Sequence, residues 1–349
     1  MSFWRGRRVL VTGHTGFKGS WLALQLAELG AEVLGFANGI PTEPSLYELA
    51  DVERDLVSVT GDVRDAEALR RTIAGHRPEI VFHLAAQPLV RASYADPVGT
   101  FATNVLGTVH LLEAARAVDD VRVVVNVTTD KVYANHEGSA PYTEDEPLGG
   151  HDPYSTSKAC SELVTASYRA SFPDGPALAT ARAGNVIGGG DWSADRLVPD
   201  LMRGALSGEP VVIRNPAAVR PWQHVLNANG GYLLLAERLW DDPALAGAWN
   251  FGPDEQDALP VSAIVARLSE LWGSEIVVRP ATGVQPHEAQ ALRLDSSRAR
   301  SALGWTPQWD LERALAGVAE WYRAFASGAP VRETTLAQIR SYSLAPAPR

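Results

Sequence analysis

Five residues bring types and spacing that could do chemistry together. Tyr154 and Lys158 stand four apart in YSTSK, the interval that puts two side chains on one face of a helix. A cation beside a phenol stabilises phenolate, lowers the tyrosine pKa and makes a usable general base near neutral pH. Thr129, Asp130 and Lys131 are contiguous in TTDKVY. They offer a hydroxyl for hydrogen bonding, a carboxyl acid and a titratable amine. Lys18, Lys131 and Lys158 are the only lysines among 31 Lys and Arg residues. Lysine is a compact point charge that can lose its proton, whereas arginine cannot. A chain this biased toward arginine keeps lysine where that difference matters.

A second constellation is Gly13-His14-Thr15-Gly16-Phe17-Lys18-Gly19. Three glycines spaced three apart allow a tight turn and let a pyrophosphate approach a helix N-terminus. Lys18 could add a phosphate contact. Asp62, followed by Val63, could hold an adenine amino group, and the small residues of Leu84-Ala85-Ala86 would admit a cofactor's backbone approach. His83 reads as a hydrogen-bonded, semi-buried histidine. The stretch Gly35-Phe36-Ala37-Asn38 lacks both the acid that often holds an NAD ribose and an arginine for a 2′-phosphate. The third constellation is Arg182, Asn185, Arg196, Arg214, Arg220 and His224. Arginine forks match phosphate geometry, so the set reads as a pyrophosphate site. Trp192 and Trp222 read as packing or as ligand platforms.

The elements that must position these groups alternate. Near-continuous apolar strands are expected over 8–12, 32–36, 56–60, 80–84, 121–127 and 177–186, with helices over 21–29, 106–118 and from Asp152 to about Ser171. Asp152 supplies an N-cap and Pro153 the first turn of that last helix. Such runs fit a doubly wound α/β fold with a parallel sheet covered on both faces. After Gly188 the pattern turns irregular, with strands expected over 211–214 and 275–278 and helices over 228–239, 261–271 and 311–324. The expected division is a cofactor domain over 1–187, a substrate lobe over 188–330 with segments returning to the first domain, and a loose extension over 331–349.

Composition narrows the classes. The 349 residues are 46% hydrophobic and 21% charged, as in ordinary soluble enzymes. A net charge of -10 and a pI near 5.3 argue against a general nucleic-acid binder. Cys160 is the single cysteine, which excludes an internal disulfide and a thiolate metal cluster. No metal site is expected. No signal-peptide pattern or membrane-length apolar run is present, so the expected setting is cytoplasmic.

Together these segments resemble the extended short-chain dehydrogenase/reductase family, the NAD-dependent epimerases and dehydratases. The likeness runs from FWRGRRVLVTGHTGFKGSW through AAQPLVRASY, GTVHLLEA, TTDKVY, DPYSTSKACSELV, RAGNVIGGGDW, RNPAAVRPWQHV and WNFGP to PHEA. The resemblance implies a Rossmann-type fold, bound NAD, a nucleotide-sugar substrate and a homodimer formed by the helices over 106–118 and 154–171. It adds Asn104 to the cofactor residues and Leu197 and His287 to the substrate residues. Sugar-nucleotide 4,6-dehydratases are the most similar branch, with CDP-glucose favoured, although most of them carry glutamate where this chain has Lys131. In that branch Tyr154 would take the sugar O4 proton, Lys158 would support the phenolate and the nicotinamide ribose, and Thr129 would steady O4. Asp130 would be the acid at the C6 hydroxyl and Lys131, if neutral, the base at C5. A 4-epimerase of the same family and a non-catalytic NAD(H)-sensing protein are the competing readings.

Overall fold

The computed structural model describes residues 3–134, 140–282 and 292–344. Seven strands form one sheet: β1 (Arg8–Thr12), β2 (Glu32–Ala37), β3 (Val57–Thr60), β4 (Ile80–His83), β5 (Val123–Val127), β6 (Ala177–Arg182) and β7 (Ala248–Asn250). Their order is β7-β6-β5-β4-β1-β2-β3 and every pairing is parallel. The order reverses between β1 and β4, and a crevice opens there at the carboxyl ends of the strands. Thr12 pairs with His83, His83 with Asn126, and Asn126 with Thr180. The ends of four strands therefore lie level along one rim.

The principal helices are α1 (Phe17–Glu28), α2 (Ala66–His76), α3 (Gly107–Arg116), α4 (Pro153–Ser171), α5 (Leu197–Ser207), α6 (Val225–Asp241), α7 (Val261–Trp272), α8 (Leu311–Ala326) and α9 (Val331–Leu344). The strands are apolar because both faces are covered. Val9 and Val11 join a core with Trp21 of α1 and Leu226 of α6. Leu10 points the other way, into a core with Leu69 of α2 and Leu111 of α3. Each such side chain contributes roughly 1.5–3 kcal/mol on burial.

Helix α4 begins as its sequence signals require. The Asp152 carboxylate accepts from the Ser155 amide at 2.9 Å, and Pro153 fills the first helical position. A polar residue inside β5 then sets the helix against the sheet. Asn126 Nδ2 donates to Ser161 Oγ and Thr165 Oγ1 of α4, both at 2.9 Å. This brings the first turns of α4 beside the end of β5, where Thr129 lies.

Several expectations need correction. The strand over 177–186 stops at Arg182, because Asn185 takes a left-handed φ of 45°. Val186–Ile187 then pairs separately with Gln223–His224. The strand over 275–278 lies instead at Val278–Pro280, since Ile276 is buried in the main core and the ladder with Val211–Ile213 starts after it. The tail is no loose extension from its start. Helix α9 buries Val331, Thr335, Gln338, Ile339 and Tyr342, and its Gln338 Nε2 donates to the Gly317 carbonyl of α8 at 2.9 Å.

Candidate active site

The β1–α1 turn has the form of an anion cradle. Gly13 has a φ of 75°, and a Cβ there would stand 2.8 Å from the Ala85 amide nitrogen. No side chain caps the first turn of α1, whose N-cap is Gly16, so its amides are open to a phosphate. The turn borders a cleft of about 1310 Å³, with Thr15, Gly16, Phe17, Val63, Leu84, Ala85 and Ala86 on its wall. These groups fit a dinucleotide. Asp62 stands beside this wall, paired to Arg64 at 2.6 Å, and the Arg64 hydrogen bond holds its pKa down to about 2.

Two expected cofactor residues have other tasks. His14 turns under β2, where a Cβ on Gly35 would lie 2.3 Å from its ring. Its Nε2 bonds Ser58 Oγ at 2.8 Å, and burial pushes its pKa down to about 4. It braces β2 against β3 as a neutral ring. Asn104 accepts from the Gln87 amide at 2.8 Å and donates to Ser157 Oγ at 2.9 Å. Both ends of its amide are occupied in fixing the loop after β4. His83, as read, is a buried structural histidine, with Nδ1 2.8 Å from Thr12 Oγ1 and burial lowering its pKa to about 3.

The five residues of the first constellation do converge. Thr129, Asp130, Lys131, Tyr154 and Lys158 all line the cleft. Thr129 Oγ1 donates to Asp130 Oδ1 at 3.0 Å and accepts from the Lys131 amide at 3.4 Å. Thr129 also pulls the Tyr154 phenol toward ionisation, against its burial. Burial raises the Asp130 pKa above the usual carboxylate value, against the pull of Lys131, Thr129, Arg220 and Lys18. Asp130 Oδ2 is buried with no hydrogen-bond partner.

Tyr154 and Lys158 share one face, but the lysine does not lower the phenol as expected. Burial pushes Tyr154 up to about 12, opposed by Thr129 and Arg196. Lys158 Nζ donates instead to the Val127 carbonyl at 3.0 Å, and burial brings its pKa down to about 8. The third lysine belongs here too. Lys18 lines the cleft, and its Nζ donates to Tyr232 of α6 at 3.2 Å. Burial, aided by Arg196 and Lys158, takes its pKa down to about 7. Tyr232 carried no motif signal, because its position depends on α6 packing against α1.

On the opposite wall stand Asn185, Arg196, Leu197, Arg214 and Arg220. Arg196 pairs with Asp191 at 3.3 Å, and Arg214 donates to the Asp195 carbonyl at 3.2 Å. Arg91 and Arg203, which the sequence reading passed over, line the same cleft. Arg91 pairs with Asp195 at 3.2 Å. Arg182 and His224 do not reach it. Arg182 is buried against Glu162 at 2.9 Å. His224 is fully buried, accepts from the Leu226 amide, and sits between the rings of Trp21 and Trp309. Its position in a polar-looking motif hides a core role. Trp192 packs among Trp321, Tyr322 and Phe325. His287 lies outside the described residues.

Comparison with known proteins agrees with this geometry. The family model described as GDP-mannose 4,6 dehydratase matches residues 10–318. The CDP-glucose 4,6-dehydratase of Salmonella typhimurium is 48% identical over 98% of this chain and 97% of its own. Among solved structures, the dTDP-glucose 4,6-dehydratase of Streptomyces venezuelae, with NAD bound, superposes with a TM-score of 0.80 and 28% identity over 93% of this chain and 99% of its own. The UDP-glucose 4-epimerase of Thermotoga maritima, with UDP-glucose, gives 0.79 and 26% identity over 91% and 99%.

Proposed function

We propose, for a chain that belongs to the GDP-mannose 4,6 dehydratase family within the extended short-chain dehydrogenases/reductases, the conversion of CDP-glucose to CDP-4-keto-6-deoxyglucose. The observation that carries this reading is one cleft holding Tyr154 and Lys158 together with Thr129, Asp130 and Lys131. An epimerase needs the first pair. Dehydration also needs an acid and a base at C6 and C5, and those are what Asp130 and Lys131 add.

The β1–α1 turn, Val63 and the 84–86 segment would hold NAD, with Lys158 at its nicotinamide ribose. NAD, when bound, supplies the acceptor that takes the C4 hydride and returns it to C6. Tyr154 takes the O4 proton while Thr129 holds O4, which requires the Tyr154 pKa, pushed up to about 12 by burial, to be lowered when cofactor and substrate fill the cleft. The new 4-keto group acidifies the C5 proton, which Lys131 would remove. Asp130, whose pKa burial raises, gives its proton to the departing C6 hydroxyl. Asn185, Arg196, Leu197, Arg214 and Arg220 would grip the nucleotide diphosphate, with Arg91 as an added fork.

A homodimer is part of this reading. Tyr94, Val98, Phe101, Leu106 and Leu163 are exposed on neighbouring helical segments, Val98 at 78%. This fits burial against a second copy. A cytoplasmic setting is the corresponding expectation, and no helix among the described residues is long and apolar enough to cross a membrane.

The test is a panel of CDP-, dTDP-, UDP- and GDP-glucose with NAD, followed by mass spectrometry. Loss of water from CDP-glucose, with a 4-keto chromophore in alkali, is expected. An isomeric sugar without water loss would make the enzyme an epimerase, and no turnover of any member would leave the NAD(H)-sensing reading.

A further inference from the structure

Within the stretch AAQPLVRASY, Ala85, Ala86 and Arg91 line the cleft. Ser93 does not. It lies in the short helix Val90–Ala95, is fully buried and stands off the cleft wall. Its hydroxyl meets the active site from behind.

A helix leaves its first amides without an intrahelical acceptor. In α4 those positions are Pro153, Tyr154 and Ser155. Proline has no N–H. The Ser155 amide and hydroxyl both donate to the Asp152 carboxylate, at 2.9 and 2.6 Å. The Tyr154 amide remains, and it donates to Ser93 Oγ at 3.1 Å, across 61 positions of sequence. Ser93 directs its own proton to the Val90 carbonyl at 2.6 Å, so it meets the amide as an acceptor. The carbonyl of Tyr154 is held as well. Ser157 Oγ donates to it at 2.7 Å and accepts from Asn104 Nδ2 at 2.9 Å.

Ser93 and Asn104 belong to one braced segment. Asn104 bonds the Gln87 amide at 2.8 Å and the Gln87 carbonyl at 3.1 Å. The Gln87 side chain donates to Thr100 Oγ1 at 2.9 Å and to the Leu89 carbonyl at 3.1 Å. Both backbone polar groups of Tyr154 are therefore tied, by side chains, to residues 87–104.

We propose that Ser93 is a positioning residue for Tyr154, fixing the backbone from which the phenol reaches the sugar O4. This rests on the reading of Tyr154 as the group that takes the O4 proton. The phenol oxygen is at the far end of its side chain, so a small swing at the backbone becomes a large one at the oxygen. Reacting groups need to be held within about 0.5 Å and 10–20°, and a misplacement of about 1 Å can cost about 10²-fold in rate. The Asp152 cap alone leaves that swing open, because it bonds the next residue.

The experiment is steady-state kinetics of NAD-loaded Ser93→Ala with CDP-glucose, unlabelled and deuterated at C4. kcat should fall by about 10–100-fold, with KM near wild type and a primary deuterium effect at least as large as that of wild type, because hydride transfer is the step that Tyr154 serves. An unchanged kcat, or a fall accompanied by a smaller isotope effect, would overturn the assignment. If Ser93→Ala does not fold, Tyr154 is replaced by its α-hydroxy acid, which exchanges the amide N–H for an ester oxygen and leaves Ser93 in place. The same loss and isotope effect are expected, and wild-type kcat would refute the anchor. Absence of turnover by the wild type is a different failure, that of the functional reading. The anchor is then read from amide hydrogen exchange of wild-type protein labelled with ¹⁵N-tyrosine. Slow exchange at Tyr154 supports it, and exchange as fast as at an open helix end refutes it.

Discussion

Adjacent threonines at the end of β5 open onto two unlike polar clusters. Thr128 Oγ1 donates to Glu162 at 2.5 Å. Glu162 also accepts from Thr180 at 2.6 Å and from Arg182 at 2.9 and 3.0 Å. Arg182 goes on to donate to the Tyr133 hydroxyl at 2.9 Å and the Glu144 carbonyl at 3.0 Å. Each of these charged groups is buried and well supplied with partners. On the Thr129 side, Asp130 has an oxygen with none, and Tyr154, Lys158 and Lys18 are pushed toward their neutral forms. Saturated partners hold a charge in place and make a clamp. Groups left short of partners are the ones whose protons can move. The cations follow the division in part: the clamp uses arginine, whereas all three lysines lie in the reactive cluster, beside Arg196 and Arg220.

The sharpest way to break the contrast is to give the reactive side a permanent charge. Lys131→Arg should retain NAD and nucleotide binding yet lose 4-keto product by about 10²–10⁴-fold, the usual range for an acid–base group. Solvent deuterium incorporation at C5 should fall with it. Near-normal turnover would remove this amine from the base role. The clamp should respond in stability instead. Arg182→Met leaves the Glu162 carboxylate buried and unpaired, which costs about 3–5 kcal/mol in chemical denaturation. A Glu162→Leu/Arg182→Met double variant should recover much of that, while the Glu162→Leu change alone would not explain the recovery.

Between these lies Gly184, which lines the cleft against the Asp130 carboxyl without a side chain of its own. A Cβ at 1.7 Å from Asp130 Oδ2 must displace the carboxyl. Gly184→Ala should lower kcat by roughly tenfold or more while leaving the nucleotide dissociation constant and the circular dichroism spectrum near wild type. An unchanged kcat would mean that the acid tolerates a shift, and the case for a closed carboxyl pocket would weaken.

The parts legible in the sequence were those with local causes. Asp152-Pro153 announces α4 because an N-cap and a first-turn proline act within a few residues. The glycine turn declares itself because only glycine permits its close approach to Ala85. Illegible were the partners brought by long-range packing. Lys18 and Tyr232 are 214 positions apart, so nothing near GHTGFKG says that its lysine will meet a buried phenol rather than a phosphate. Arg182 and Arg196 look alike in sequence, yet one ends a central strand and the other precedes a helix on the cleft wall. Direction at a strand end is set by the next layer of packing, and period-two patterning does not reach it.

His224 tests the boundary between core and site with the smallest effect. Burial lowers its pKa from 6.5 to about 3. The folded chain therefore keeps it neutral while the unfolded chain binds a proton. Its contribution to stability is full above pH 6.5 and is lost as pH falls through the window down to about 3. His224→Phe removes that linkage and also the cap to the Leu226 amide, so about 1 kcal/mol should be lost at neutral pH. The difference from wild type should shrink as the pH falls, although His83 and His14 keep part of the acid slope because burial lowers them too. Urea titrations across this pH range would show it, with kcat and KM for CDP-glucose unchanged. A large rise in KM with no change in the acid slope would return His224 to the substrate wall, and the packing of Trp21 and Trp309 around its ring would need another purpose.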